Sequence, residues 1–100
     1  MKIRILPNAE TDLELGADFY ESQRDGLGEY FVTSLISDIE SLKLNGGIHE
    51  LYRGFHRSIS KRFPFAVYYR LRSNTIDIYA VLDCRQNSKT INDRLQDGNA

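Results

Sequence analysis

Phe63-Pro64-Phe65-Ala66-Val67-Tyr68-Tyr69-Arg70-Leu71-Arg72, then Ser73-Asn74, then Thr75-Ile76-Asp77-Ile78-Tyr79-Ala80-Val81-Leu82-Asp83-Cys84 is the stretch that decides the fold. Two runs rich in aromatic and β-branched residues flank a two-residue polar break, which is the sequence form of a β-hairpin. Asn74 tolerates positive φ and suits the loop. A two-residue loop sets Arg72 opposite Thr75, Arg70 opposite Asp77, Tyr68 opposite Tyr79 and Ala66 opposite Val81. Side chains alternate between faces along a strand. One face then carries Phe63, Phe65, Val67, Tyr69 and Leu71 with Ile76, Ile78, Ala80, Leu82 and Cys84. It is apolar and has to be covered. The other carries Arg62, Ala66, Tyr68, Arg70 and Arg72 with Asp77, Tyr79, Val81, Asp83 and Arg85, an apolar strip with a charged rim. A slip of one residue would exchange the faces, so the core requirement pins the register.

Working outward, Lys2–Leu6 reads as a short strand ended by Pro7. Asn8 is an N-cap candidate. Leu13, Ala17 and Tyr20 recur at helical spacing and predict a helix over Ala9–Gln23. Gly16 inside it costs about 1 kcal/mol relative to Ala unless close packing needs it. Asp25-Gly26-Leu27-Gly28 reads as a tight connection. Phe31, Leu35, Ile39 and Leu42 form the stripe of a second helix over Glu29–Leu44, ended by Asn45-Gly46-Gly47. Residues Ile48–Arg53 read as a loop and Phe55–Ile59 as a strand. Gln86–Arg94 is polar, a short helix or an irregular arm. The order is β-α-α-β-β-β: an α+β fold with an antiparallel-dominated sheet. The αα-hairpin covers one sheet face and the opposite face stays open.

One hundred residues, 41% of them hydrophobic, suit a single small core. The domain is expected over residues 1–95, with a frayed tail over 96–100. No apolar run spans a bilayer, and the charged start is no signal peptide, so a cytoplasmic location is expected. Cys84, the one cysteine, permits no internal disulfide and no thiolate zinc cluster, and on the inner face it reads as a small buried hydrophobe. His49 and His56 lie seven apart without a ligand partner, so neither metal nor cofactor is expected. Net charge is −1, but residues 1–50 hold four Lys/Arg against ten Asp/Glu, and residues 51–100 nine against four. A basic patch can come only from the C-terminal half.

Ala9 with Asp12-Leu13, Phe19-Tyr20-Glu21 with Gln23, Gly26-Leu27-Gly28 before Phe31, Arg62-Phe63-Pro64-Phe65 with Tyr68-Tyr69-Arg70, and Val81-Leu82 with Cys84-Arg85 are a familiar set. On these residues the chain resembles the RelE/ParE superfamily of type II toxin–antitoxin toxins, closest to its ParE-like, plasmid-stabilisation branch. Asp83 and Ser88 depart from the common pattern, which has His and Pro there. The resemblance implies the β-α-α-β-β-β fold and a cytoplasmic toxin neutralised by a cognate antitoxin in a hetero-oligomer. It implies DNA gyrase as the target of a ParE-like member, or ribosome-dependent mRNA cleavage by a RelE-like one. A non-toxic relative that only binds antitoxin is a third reading. Fold alone does not decide among them.

A ribonuclease needs a proton acceptor, a proton donor and cations on the phosphate. Arg57, Lys61, Arg62 and Arg85 could supply the cations, with Arg70 beside them, but no Tyr or His follows Cys84. His56, on the strand before the hairpin, reads as structural. A net charge of −1 also argues against direct nucleic-acid binding. The charged-rim face offers an antitoxin-binding set instead: Arg62, Ala66, Tyr68, Arg70, Arg72, Tyr79, Val81 and Arg85. An extended hairpin would place Arg62 opposite Arg85, an unfavourable pair unless an anion bridges it. An acidic, amphipathic antitoxin segment would supply that anion. Arg70 and Asp77 should form an exposed cross-strand pair worth roughly 0.2–1 kcal/mol.

Overall fold

A computed structural model describes residues 1–98. The elements are β1 (Lys2–Ile5), α1 (Pro7–Gln23), α2 (Leu27–Glu40), α3 (Leu42–Asn45), β2 (Leu51–Tyr52), β3 (Phe55–Ile59), β4 (Phe65–Arg72), β5 (Thr75–Asp83) and α4 (Ser88–Gly98). They form one five-stranded sheet in the order β1-β5-β4-β3-β2. β1 runs parallel to β5, and the other neighbours are antiparallel.

α1 starts two residues before the expected point. Pro7 stands in its first turn, where a missing N–H costs nothing, and Leu6 rather than Asn8 is the N-cap. The Glu21 carboxylate accepts the N–H groups of Gly26 (3.1 Å) and Gly28 (2.9 Å) and so fixes the passage into α2. A Cβ on Gly28 would stand 2.6 Å from the Ala17 carbonyl oxygen, and one on Gly16 would stand 2.6 Å from the Phe31 ring. Both glycines therefore serve the close approach of the two helices. The single helix expected to Leu44 is broken at Ser41, whose hydroxyl donates to the Asp38 carbonyl at 2.6 Å, and α3 follows.

The stripe Phe31, Leu35, Ile39 and Leu42 is buried against Phe65, Val67, Tyr69, Ile76, Ile78 and Val81. Tyr20, Phe31, Phe63 and Phe65 interlock at its centre. The Phe31–Phe65 and Tyr20–Phe63 centroids are both 4.8 Å apart, in edge-on contact. This is the predicted inner face as far as Ile78, with its membership changed beyond that point.

The change comes from a bulge. The hairpin register runs as expected from Arg72↔Thr75 to Arg70↔Asp77, then shifts, so that Tyr68 faces Ala80 and Ala66 faces Leu82. Tyr79 is the extra residue on β5. Beyond it every side chain changes face. Val81 turns into the inner core, while Ala80 and Leu82 join the outer face. The strand pair ends at Phe65↔Asp83, which leaves Cys84 beyond β5 and exposed, not buried as expected. In the loop, Ser73 and not Asn74 takes the positive φ (55°).

The outer face is not open. α4 lays Leu95 and Ile91 over Phe55, Ala66, Tyr68, Ala80 and Leu82. The Asn87 side chain starts this helix by accepting the Thr90 N–H at 2.9 Å. α4 takes in residues 96–98 of the expected tail, and residues 99 and 100 lie outside the described residues. The expected loop at 48–53 holds β2, which turns into β3 through Arg53-Gly54, both at positive φ. Among the described residues no helix is long and apolar enough to cross a membrane.

Candidate docking surface on the outer sheet face

Where α4 stops, the outer face continues as a band of arginines set among aromatic rings. Asp77 on β5 is 2% exposed. Its carboxylate accepts Arg4 Nε from β1 at 3.1 Å and Arg72 Nε from β4 at 3.0 Å. Both guanidinium groups stay more than half exposed. Arg70 faces Asp77 in the ladder, as expected, but the exposed Arg70–Asp77 pair is corrected. The carboxylate is buried and its ion partners are Arg4 and Arg72. Arg70 lies over the Phe55 ring at 4.1 Å and near Tyr79 at 5.3 Å, and its Nε donates to the Gly54 carbonyl at 3.2 Å. Arg57 lies 5.6 Å above the Tyr52 ring. Burial pushes the Tyr68 hydroxyl pKa up, and the Arg57 charge opposes that push.

The rest of the expected antitoxin set divides. Ala66 (0% exposed), Tyr68 (2%) and Val81 (1%) are buried, the first two in the outer core that α4 completes and the third on the inner face. Ala66 and Tyr68 cannot meet a partner while α4 is in place, nor can Val81 while the inner core is packed. Arg62 is exposed in the turn between β3 and β4. Arg85 donates Nε and Nη2 to Asp83 at 2.9 and 2.7 Å, and its backbone N–H reaches the same carboxylate at 2.8 Å. This bonding holds the Asp83 carboxyl below its usual value. The ladder ends before Arg62 and Arg85 could face each other, so the like-charge pair does not form and calls for no bridging anion.

The ribonuclease set gains no histidine. Arg57 stands on the outer face of β3, Arg85 is bonded to Asp83, and Lys61 and Arg62 lie in the turn, where the Lys61 N–H reaches Asp38 at 3.4 Å. His56 is on the inner side, stacked on Tyr69. Guanidinium groups do not release protons at neutral pH. The band is built for binding anions rather than for moving protons.

Sequence reading missed two parts of this region. Arg4 sat on a short N-terminal strand with no visible neighbour. Its partner became evident only with the parallel β1–β5 pairing. The second part is Asp12. β1 pairs with β5 only from Thr75 to Ile78. Farther along, the Val81 N–H faces α1, and the Asp12 carboxylate accepts it at 3.0 Å. Arg94 of α4 reaches round the sheet edge to the same carboxylate, 2.7 and 2.9 Å. The available signal was an acid next to Ala9, Leu13 and Gly16 on the buried side of α1. Arg94 divides two clefts of about 340 and 350 Å³, the second lined by Pro7, Phe55 and Tyr79 and opening beside the arginine band.

No family model matches the sequence, and no curated protein matches it significantly. The fold does have a solved counterpart. The structure described as a chromosomal ParDE TA system from P. aeruginosa superposes with a TM-score of 0.67 at 20% identity, over 81% of this chain and 92% of that one. The agreement takes in a mixed α/β chain with a mostly antiparallel five-stranded sheet. The α+β architecture with an antiparallel-dominated sheet that was expected from the sequence is the architecture this chain adopts, and it is shared with that solved structure.

Proposed function

We propose that this chain is the toxin component of a bacterial type II toxin–antitoxin system, cytoplasmic, neutralised in a hetero-oligomer by a cognate antitoxin, and acting by binding DNA gyrase. The arginine band on the outer sheet face carries the reading, on a fold shared with a ParDE system. In this reading Arg70, Arg72 and Tyr79 contact the antitoxin, with Arg62 and Arg85 at the far end of the same hairpin. Ala66, Tyr68 and Val81 drop out as contacts because they are buried.

The chemistry of the band favours an acidic peptide over a nucleic acid. Single-stranded nucleic acids need open ring faces for base stacking. Here Arg70 already covers Phe55 and lies near Tyr79, and Arg57 covers Tyr52. A guanidinium lying on a ring turns its N–H edge outward, the edge that grips a carboxylate. The mRNA-cleaving alternative has the cations, but His49 and His56 both lie on the inner side, away from this face.

Expressing the chain in bacteria, with and without its antitoxin, separates the readings. Filamentation with DNA damage, together with loss of supercoiling by purified gyrase, supports the proposal. Halted translation with cut mRNA supports the nuclease, and normal growth with folded protein supports the non-toxic relative. Arg70→Glu should weaken antitoxin binding by at least tenfold, and unchanged binding removes the band from the docking surface.

A further inference from the structure

The two histidines meet at the inner edge of the sheet, away from the arginine band. Tyr69, 0% exposed, accepts the Gly47 N–H at 2.9 Å, and its hydroxyl oxygen lies 2.6 Å from His49 Nδ1. His56 stacks on the same tyrosine with ring centroids 5.1 Å apart, and its Nδ1 lies 2.8 Å from the His49 carbonyl oxygen. A carbonyl only accepts, so His56 Nδ1 bears a proton. Burial raises the Tyr69 pKa, so the phenol keeps its single proton. With Gly47 donating to the oxygen, that proton goes to His49 Nδ1. The lone pair it needs exists only on the neutral imidazole.

We propose that neutral His49 latches the segment Gly46–Tyr52 onto the sheet, and that a proton on this ring releases it. Protonation turns Nδ1 into a donor facing a hydroxyl donor. The phenol oxygen could receive the new N–H, but its own proton would then be stranded in a buried site, a costly arrangement. The groups facing His49 are the Tyr69 hydroxyl from β4 and His56 from β3, and Glu50 adjoins it in the chain. The pKa of His49 is lowered by burial first and by His56 second, in keeping with a docked state that prefers the neutral ring. The released ring returns to its ordinary value of 6.5. The latch therefore holds in full above pH 6.5. It weakens as pH falls from there through the lower docked value.

The segment leads straight to the outer face. The Glu50 carbonyl accepts the Arg57 N–H at 3.2 Å, and Tyr52 lies under Arg57 and donates to Asn92 of α4 at 2.7 Å. A proton on the inner side thus loosens one end of the arginine band. The device stands whatever the band binds.

Amide exchange by NMR on the whole chain between pH 8 and 5, corrected for intrinsic rates, tests the latch. The Gly47 and Arg57 amides should lose protection on acidification while Ile78 does not. The loss should be about tenfold for each tenfold by which docking weakens the hold of His49 on its proton. In His49→Gln, whose side-chain oxygen can accept the Tyr69 proton, the pH dependence should vanish. In His56→Gln it should persist. Equal protection of Gly47 at pH 8 and 5 in the unaltered chain overturns the proposal, as does a His49→Gln variant with undiminished pH dependence. Loss of the dependence in His56→Gln would make His56 the switch and overturn it equally.

Discussion

The inner face of the sheet lies under two helices of 17 and 14 residues, and the outer face under one helix of 11. The inner core joins α1 and α2 to the sheet through interlocked aromatic rings. Among the described residues, the outer core has Leu95 as its one buried contribution from α4, aided by Ile91 and by two polar ties, Tyr52–Asn92 and Asp12–Arg94. One face is held by packing and the other by a thin apolar contact with polar fasteners. The first gives the domain its stability, and the second leaves charged surface exposed beside α4.

If that contrast is right, cavities on the two faces should not cost the same. Phe31→Ala removes a ring that touches Tyr20, Phe63 and Phe65 in the tightest part of the inner core. It should destabilise the domain by about 3–5 kcal/mol in denaturant unfolding. Because the ring also fills the space beside Gly16, the loss should be global, with no probe reporting early unfolding. A loss under 1 kcal/mol would remove the inner face from its leading place.

The polar fastener comes next. Asp12→Ala strands the Val81 N–H and deprives Arg94 of its carboxylate. Arg94 keeps about a third of its side chain in water, so the cost should fall below that of a wholly buried pair, at about 2–3 kcal/mol. The Asp12→Ala/Arg94→Ala double variant should show a clear coupling term, since the two side chains share bonds at 2.7 and 2.9 Å. Strictly additive losses would make Asp12 a backbone acceptor only.

Leu95→Ala should cost less again, about 2 kcal/mol at most, although Leu95 is as buried as the inner-core leucines. α4 can lift off locally, and the energy of lifting it sets the ceiling on what a cavity beneath it can cost. Hydrogen exchange should show α4 amides opening in this variant while β4 and β5 stay protected. A cost equal to that of Phe31→Ala would mean that α4 belongs to the cooperative core.

The same contrast decides what could be read in the sequence. The inner face was legible because Phe31, Leu35, Ile39 and Leu42 keep helical phase, and Val67, Tyr69, Ile76 and Ile78 keep strand phase with polar neighbours between. The outer face was not. Tyr79-Ala80-Val81-Leu82 is apolar at every position, so nothing in it marks a change of phase, and the bulge at Tyr79 passed unseen. α4 was obscure for a related reason: two apolar anchors on a polar helix make a weak pattern, and its strongest tie is an arginine that finds its carboxylate 82 residues earlier. Arg70, Arg72 and Tyr79 could be placed on the charged face because they precede the bulge or sit in it. Val81, just past it, could not.

The smallest effect belongs to the far end of the hairpin, where Asp83 and Arg85 share bonds at 2.7–2.9 Å in the open. The Arg85 hydrogen bonds hold Asp83 below its ordinary value of 3.8, with burial working against them. A carboxyl with a depressed folded value contributes stability that is whole above the unfolded value and is lost as pH falls through the folded one. The contribution should therefore be present at pH 7 and fade below about pH 4. Exposed pairs are screened, so Arg85→Ala should cost the least of these variants at pH 7 and almost nothing in 1 M salt. Arg4→Ala is the informative control, because Asp77 is buried where Asp83 is not. Its loss should resist the same salt, since the remaining carboxylate stays out of water. Equal salt sensitivity at the two sites would mean that solvent reaches Asp77, and the arginine band would then be a loose surface cluster rather than a fixed one.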